Sequence, residues 1–405
     1  MPTNNHLRSP VDSASSWLGR NGFALPALAL SGLLVVSACD PSVSGHADAG
    51  IEPSPDARLT PLTPDDFVFP EATPSDCVGT LTASAKAQAL VQEQARPFAL
   101  LADASNLYWL NREFEDDLGN TVSGNLMKYD LQTQATTILA TGLLGPHSLN
   151  QDQANLYWTD DDGSVKRIAK GGGPIDVVLA GPGSYTRLTV SGGYVVWFDE
   201  ASKQIMSADT SDFVGHALGS GGPGPSRTPS IAVAHGRAIW TTQTSENKGT
   251  VSFAPVDGSA SAATRALDMW HDSDTRSLQV EGNYAYWIVD TLGDDDFIKR
   301  MDLNSGVVVN LAKLNWPEVG LRVENLRVTR HGLLVAVTSL TQTALRVYAK
   351  SPSIEFTAVV EGMPATNIVS IATTCEKAFV TGYATTGDTT TKSVYEVGLV
   401  DASGS

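Results

Sequence analysis

Six residues able to carry positive charge, Arg96, His147, Arg187, Arg227, Arg276 and Arg322, stand ten to fourteen residues ahead of the bulky landmarks Trp109, Trp158, Trp197, Trp240, Trp287 and Val335. Gathered at one mouth, such groups would hold an anion: a carboxylate, or a phosphorylated or sulfated sugar. Acidic residues recur too, at Glu113, Glu115, Asp116 and Asp117, at 160–162, at Asp199 and Glu200, and at 294–296. They outnumber the Arg residues, so pairing within the protein is the competing use of the same cations. As calcium ligands the acidic runs fall short, because neither 160–163 nor 294–296 has the alternating spacing of a calcium loop. They read as turns, and no metal site is expected. A further stretch, Trp270-His271-Asp272-Ser273-Asp274, collects a base, carboxylates and a hydroxyl. With Glu318 or His147 it would supply acid/base chemistry of a lactonase or lyase kind. Adjacent positions do not by themselves bring side chains together, so Trp270 and His271 are kept as candidate ligand contacts and no catalytic residue is assigned. No cofactor is expected.

The chain has 405 residues and a net charge of −17, and its first 38 residues contribute +1, leaving the remainder at −18. Phosphate backbones are gripped by clustered Lys and Arg, so nucleic acid is excluded as a partner. With 42% hydrophobic and 18% charged residues, most of the chain should fold. Its length fits two or three domains, or one large repeat domain.

The landmarks belong to a repeat. Asn106-Leu107-Tyr108-Trp109 and Asn155-Leu156-Tyr157-Trp158 are followed by Gly193-Tyr194-Val195-Val196-Trp197, Gly236-Arg237-Ala238-Ile239-Trp240 and Asn283-Tyr284-Ala285-Tyr286-Trp287. Two copies, His331-Gly332-Leu333-Leu334-Val335 and Glu376-Lys377-Ala378-Phe379-Val380, replace Trp with Val. From 109 to 380 these make seven copies about 45 residues apart. The second copy predicts strands at 147–151, 155–159, 164–169 and 175–180, with a hairpin at 161–163. Units of this size and period predict an all-β fold, a seven-bladed β-propeller of four-stranded antiparallel blades, with six or eight blades as alternatives. The landmark aromatics then pack between blades. In such a ring the connections from fourth to first strand and from second to third strand share one face.

The last copy supplies strands at 368–373, 378–383 and 393–400 and then runs out of chain, while residues 86–93 precede Trp109 by the spacing of a fourth strand. The N-terminal strand is therefore expected to complete the last blade and hide two sheet edges at once. Cys77 and Cys375 flank that seam; they read either as a disulfide or as two buried thiols. A bridge closing about 298 residues would contribute on the order of 5 kcal/mol in a chain-entropy model. No paired Cys or His spacing suits zinc.

Tyr157-Trp158-Thr159-Asp160 spells the YWTD element, and residues 156–174 resemble one repeat of the YWTD propellers found in lipoprotein-receptor ectodomains and many bacterial surface proteins. The resemblance covers 86–400 as an architecture and carries the literal motif once. It implies binding of proteins or peptides on a propeller face and no chemistry, although the receptor domains have six blades. At the other end, residues 22–36 form an uncharged apolar run preceded by Arg8 and Arg20, the layout of a signal peptide. The run ends in Val36-Ser37-Ala38-Cys39, which resembles the lipobox of bacterial lipoproteins. That resemblance implies acylation of Cys39 and attachment to a lipid bilayer in the cell envelope, facing the periplasm or exterior. Residues 39–76, rich in Pro, Asp, Ser and Ala, read as a disordered tether with a coil span of roughly 30–35 Å. The organisation expected is thus a signal peptide at 1–38, the acylated tether at 39–76 and the propeller at 77–405. The function expected is a monomeric, membrane-anchored binding module for a protein, a peptide or an anionic ligand.

Overall fold

The computed structural model describes residues 68–70 and, between 87 and 398, all but 113, 116–120, 181–184, 223–228, 246–247, 269–273, 291–295, 315–321, 330–331, 339–342, 353–355, 361–366, 375–376 and 387–388. Seven four-stranded antiparallel sheets follow one another along the chain. Blade one is Pro97–Ala102, Asn106–Asn111, Gly124–Asp130 and Thr136–Leu143; blade two is His147–Gln151, Asn155–Thr159, Val165–Ala169 and Asp176–Leu179. Blade three is Tyr185–Ser191, Tyr194–Asp199, Gln204–Asp209 and Gly215–Ser220; blade four is Ile231–Ala234, Arg237–Ser245, Lys248–Pro255 and Ala263–Asp268. Blade five is Asp274–Glu281, Tyr284–Asp290, Asp296–Asp302 and Val308–Leu314; blade six is Arg322–Thr329, Gly332–Thr338, Thr343–Tyr348 and Phe356–Val360. Blade seven takes three strands from the end of the chain, Asn367–Thr373, Lys377–Thr386 and Thr389–Gly398, and its fourth from the start, Ala87–Val91. The fold is a seven-bladed β-propeller, and the N-terminal strand closes it: Ala87 pairs with Val397 and Val91 with Val394.

The landmark residues are core. Trp109, Trp158, Trp240 and Trp287 are at most 1% exposed, and Val335 and Val380 in the same place are fully buried. A second marker lies nine residues earlier, where Leu100, Leu149, Leu188, Ile231, Leu278, Leu326 and Ile371 recur. In four inner strands this residue follows a bulge: three steps from Phe98 to Leu101, His147 to Asn150, Thr186 to Thr189 and Arg276 to Gln279 face two steps on the neighbouring strand. The extra residue, Ala99, Ser148, Arg187 or Ser277, takes a left-handed φ between 49° and 56°. Bulging adds twist to the strand and turns the following Leu into the inter-blade core.

Inner strands leave one edge facing the central channel, and unpaired edge groups need partners. Neighbouring blades supply them. Asn150 donates to Leu188 O at 2.6 Å, Gln151 to Ala102 O at 2.8 Å, Asn325 to Val369 O at 2.8 Å and Arg327 Nε to Ile371 O at 2.9 Å. Burial pulls the Arg327 guanidinium below its ordinary value. On the face carrying the third-to-fourth strand turns, Lys170 reaches back to Asp103 at 3.2 Å and Lys350 to Glu281 at 2.5 Å, each joining a blade to the one before it.

Asp103 and Asp152 hold equivalent first-to-second strand turns. Asp152 accepts from the amides of Ala154 at 2.7 Å and Asn155 at 2.6 Å, and from the Tyr157 hydroxyl at 2.7 Å. Burial alone would raise this carboxyl, but the Tyr157 hydroxyl and the turn amides outweigh it and bring Asp152 below 3.8. Its partner Tyr157 is pushed up to about 12, by burial first and then by the hydrogen bond to Asp152. Since the folded value is depressed, the contribution is complete above the unfolded value near 3.8 and is lost as pH falls through the folded one. Asp152→Asn is therefore expected to cost about 1–2 kcal/mol at neutral pH, and nothing once the wild-type carboxyl is protonated. Urea midpoints measured from pH 7 downward check it; a cost that does not shrink as pH falls below 3.8 contradicts the assignment.

Candidate functional site

The face bearing the second-to-third and fourth-to-first connections carries the cations singled out above. Arg96 is exposed, directly before the inner strand of blade one, with φ at 55°. His147 opens the inner strand of blade two; Arg187, exposed, sits on the bulge of blade three; Arg276 and Arg322 lie in the inner strands of blades five and six, opposite Ile288 and Thr338. Arg227, Trp270 and His271 lie outside the described residues, as do Glu318, Cys39, Cys77 and Cys375. The five described positions do not share one register. They precede their landmarks by 13, 11, 10, 11 and 13 residues, so they stand at three levels, and Arg187, on its bulge, is the one an odd number of steps out of line.

A tighter group forms at blades seven, one and two. Arg112, just past the second strand of blade one, lies with its guanidinium 4.3 Å from the Phe98 ring centroid and donates to His147 Nδ1 at 3.0 Å. His147 Nε2 lies 3.0 Å from Asp161 Oδ1, in the second-to-third strand hairpin of blade two. A guanidinium can only donate, so Nδ1 is the acceptor and the proton sits on Nε2, directed at Asp161. Both ring nitrogens of His147 are engaged. Beside them, Arg96 and Arg112 both act on Tyr383 of blade seven: burial raises that phenol, and the two guanidinium charges oppose the rise. Arg96 also acts on Lys392 of the same blade, whose ammonium is lowered by burial first and by the Arg96 charge second. Arg96 and Arg112 thus both act on one half-buried phenol, Lys392 stands directly across the strand pair from it, and among the described residues the Arg96 guanidinium has no ion pair.

Sequence reasoning found Arg96 and His147 but missed Arg112, Tyr383 and Lys392. Arg112 stands three residues after Trp109, and the same offset after Trp158 is Asp161, so a comparison of offsets after the landmark would have paired those loops. Tyr383 and Lys392 reach the group only because blade seven closes against blade one.

The acidic hairpin of blade two is internally satisfied. Asp160 is buried; its Oδ1 accepts from Trp158 Nε1 at 3.0 Å and its Oδ2 from Lys166 Nζ at 2.5 Å. Burial dominates and raises the Asp160 carboxyl despite the Lys166 ammonium. Asp162 takes a second contact from Lys166 at 3.0 Å and caps the Ser164 amide at 2.9 Å. These oxygens serve the turn.

The chain matches no protein-family model and no curated protein by sequence. Among solved structures it resembles an oligogalacturonate lyase in complex with manganese, at 12% identity over 82% of this chain and 99% of that one, with a TM-score of 0.52. It resembles YCF48 bound to a D1 peptide equally well, at 12% identity over 83% and 99%, with a TM-score of 0.52. A puromycin hydrolase aligns at 14% identity over 79% of this chain and 55% of that one, with a TM-score of 0.51. At such identities the likeness establishes the propeller fold alone, a fold that serves both enzymes and binding proteins.

Proposed function

We propose that this chain is a membrane-anchored cell-envelope lipoprotein, acylated at Cys39, whose propeller is a non-enzymatic module binding a partner through an anionic group at Arg96, Arg112 and Lys392. The carrying observation is that Arg96 and Arg112 both act on Tyr383, and Arg96 also on Lys392, the cross-strand partner of Tyr383, in a chain of net charge −17. Like charges held together cost free energy, and an incoming carboxylate, phosphate or sulfate would offset it with charge-assisted hydrogen bonds. His147 does not suit general-base catalysis there, because its Nδ1 lone pair is used by Arg112 and its other nitrogen carries the proton.

The test is thermal unfolding of the full chain with a panel of sugar phosphates, sulfated sugars and polycarboxylates. One anion class is expected to raise the melting temperature saturably, as binding to the native state does. Arg96→Ala should weaken that shift at least tenfold in concentration, and added salt should weaken it further. If no anion shifts the wild type, or Arg96→Ala shifts equally, the reading fails. Membrane attachment has its own readout: incorporation of labelled fatty acid into the wild type and none into Cys39→Ser.

A further inference from the structure

Val68, Phe69 and Pro70 fall within the stretch read from sequence as a free tether, and here the structure departs from that reading. Phe69 is 1% exposed, although Val68 before it is 65% exposed and Pro70 after it is exposed. Its ring meets Phe253 edge-on, with centroids 5.2 Å apart and planes at 83°. The pocket lies between blades four and five, built by Ile239, Val251 and Phe253 from one and Ala285, Met301 and Leu303 from the other. Asn304 then reads the backbone: its Oδ1 accepts the Phe69 N–H at 2.6 Å and its Nδ2 donates to the Phe69 carbonyl at 2.9 Å. One side-chain amide thus satisfies both main-chain groups of one extended residue, as a neighbouring strand would. Asn304 is itself fixed, because Asp302 Oδ1 caps its amide at 2.9 Å. Blade one builds the matching turn from Asp130-Leu131-Gln132-Thr133, with Asp130 capping Gln132 at 2.9 Å, and there Gln132 is exposed. The polar clamp is therefore not required by the turn.

A buried aromatic anchor, a bidentate grip on the backbone and a proline that holds the preceding residue extended are the means by which folded domains recognise short extended peptides. We propose that the cleft between blades four and five is a peptide-binding site for an extended segment in which an aromatic residue is followed by proline, and that the chain's own Val68-Phe69-Pro70 occupies it in cis. A covalently linked occupant competes at a high effective concentration, so an outside peptide gains full access only when the latch is released. The cleft adjoins a third-to-fourth strand turn, on the face opposite Arg96, and the proposal stands apart from the anion reading.

The probe is a fluorescein-labelled peptide with the sequence of residues 63–75, TPDDFVFPEATPS, titrated into the full chain and followed by anisotropy. Phe69→Ala, which empties the cleft, is expected to bind it saturably and at least tenfold more tightly than the wild type. Phe69→Ala combined with Asn304→Ala should lose at least tenfold of that affinity, and a probe with alanine at the position of Phe69 should not bind. A folded Phe69→Ala that ignores the probe, or binds it no better than the wild type does, overturns the proposal. If Phe69→Ala does not fold, hydrogen exchange of the wild type decides instead. Excess unlabelled peptide should speed exchange of the Phe69 amide, and unchanged exchange overturns the proposal.

Discussion

A chain lacking residues 77–93 is expected to lose the propeller altogether, with no near-ultraviolet circular dichroism and no cooperative thermal transition. The deletion removes Ala87–Val91, the fourth strand of blade seven, and leaves the edge of Thr389–Gly398 unpaired along its register with Val394 and Val397. More than an edge is lost. Ala87 and Ala89 pack on the cluster of Leu334, Ile371 and Tyr395, while Leu90 and Val91 pack with Leu100, Trp109 and Phe379, so the strand touches the core on both sides of blade seven. The chain that follows it supports the seam: the Gln94 amide donates to Lys392 O at 2.9 Å, and Gln94 Oε1 accepts from Trp109 Nε1 at 3.1 Å. In a ring each blade depends on both neighbours, and opening one seam exposes two faces that no other part of the chain can cover. Deleting 40–65 is expected to leave the transition within about 0.5 kcal/mol of wild type, since that stretch lies before the Phe69 latch. A cooperative transition in the 77–93 deletion would mean that three strands suffice to close blade seven.

That closure could be read from sequence because it is a matter of counting: seven landmarks, a last copy one strand short and an orphan strand upstream. Blade number was legible for the same reason, as each Trp or Val landmark marks one blade whatever the loops around it do. The bulges were not. A left-handed residue in a strand is signalled by Gly, yet these positions hold Ala99, Ser148, Arg187 and Ser277, which adopt the conformation because burial of the next Leu favours it. Missing the bulge also hid that Arg187 stands on it, out of line with His147 and Arg276. Arg112 meets His147 across 35 positions, and the Arg96 charge acts on Tyr383 across the ring seam, so neither relation leaves a local pattern. Phe69 was absorbed into a Pro- and Asp-rich stretch because one aromatic has no periodicity. The short apolar island Phe67-Val68-Phe69 was the available signal.

Replacing Trp158 should show how the landmark is built. Trp158→Ala empties a fully buried site and is expected to cost about 3–5 kcal/mol. Trp158→Phe keeps most of the apolar contact but removes the Nε1 proton from Asp160 Oδ1, leaving a buried carboxylate oxygen short of a donor, for about 1–3 kcal/mol. Trp109 and Trp240 reach different acceptors, Gln94 Oε1 and the Ser220 carbonyl, whereas among the described residues Trp287 Nε1 is buried without an acceptor, and Val335 and Val380 need none. The polar handle is thus matched by a different group in each of blades one, two and four, and in blade two that group titrates. Asp160 lies above 3.8 when folded, chiefly through burial, so its ionisation destabilises the fold as pH rises from below 3.8 through the folded value. Trp158→Phe takes away one of the bonds that favour the charged form, raising the folded value further and enlarging that penalty. The difference between wild type and Trp158→Phe should therefore be smaller at pH 3 than at pH 7, opposite in cause to Asp152, whose bonds are lost on protonation. Asp160→Asn supplies the control: in its background, Trp158→Phe should cost the same at both pH values in urea unfolding. A pH-dependent cost surviving in Asp160→Asn would assign the effect to some other carboxylate.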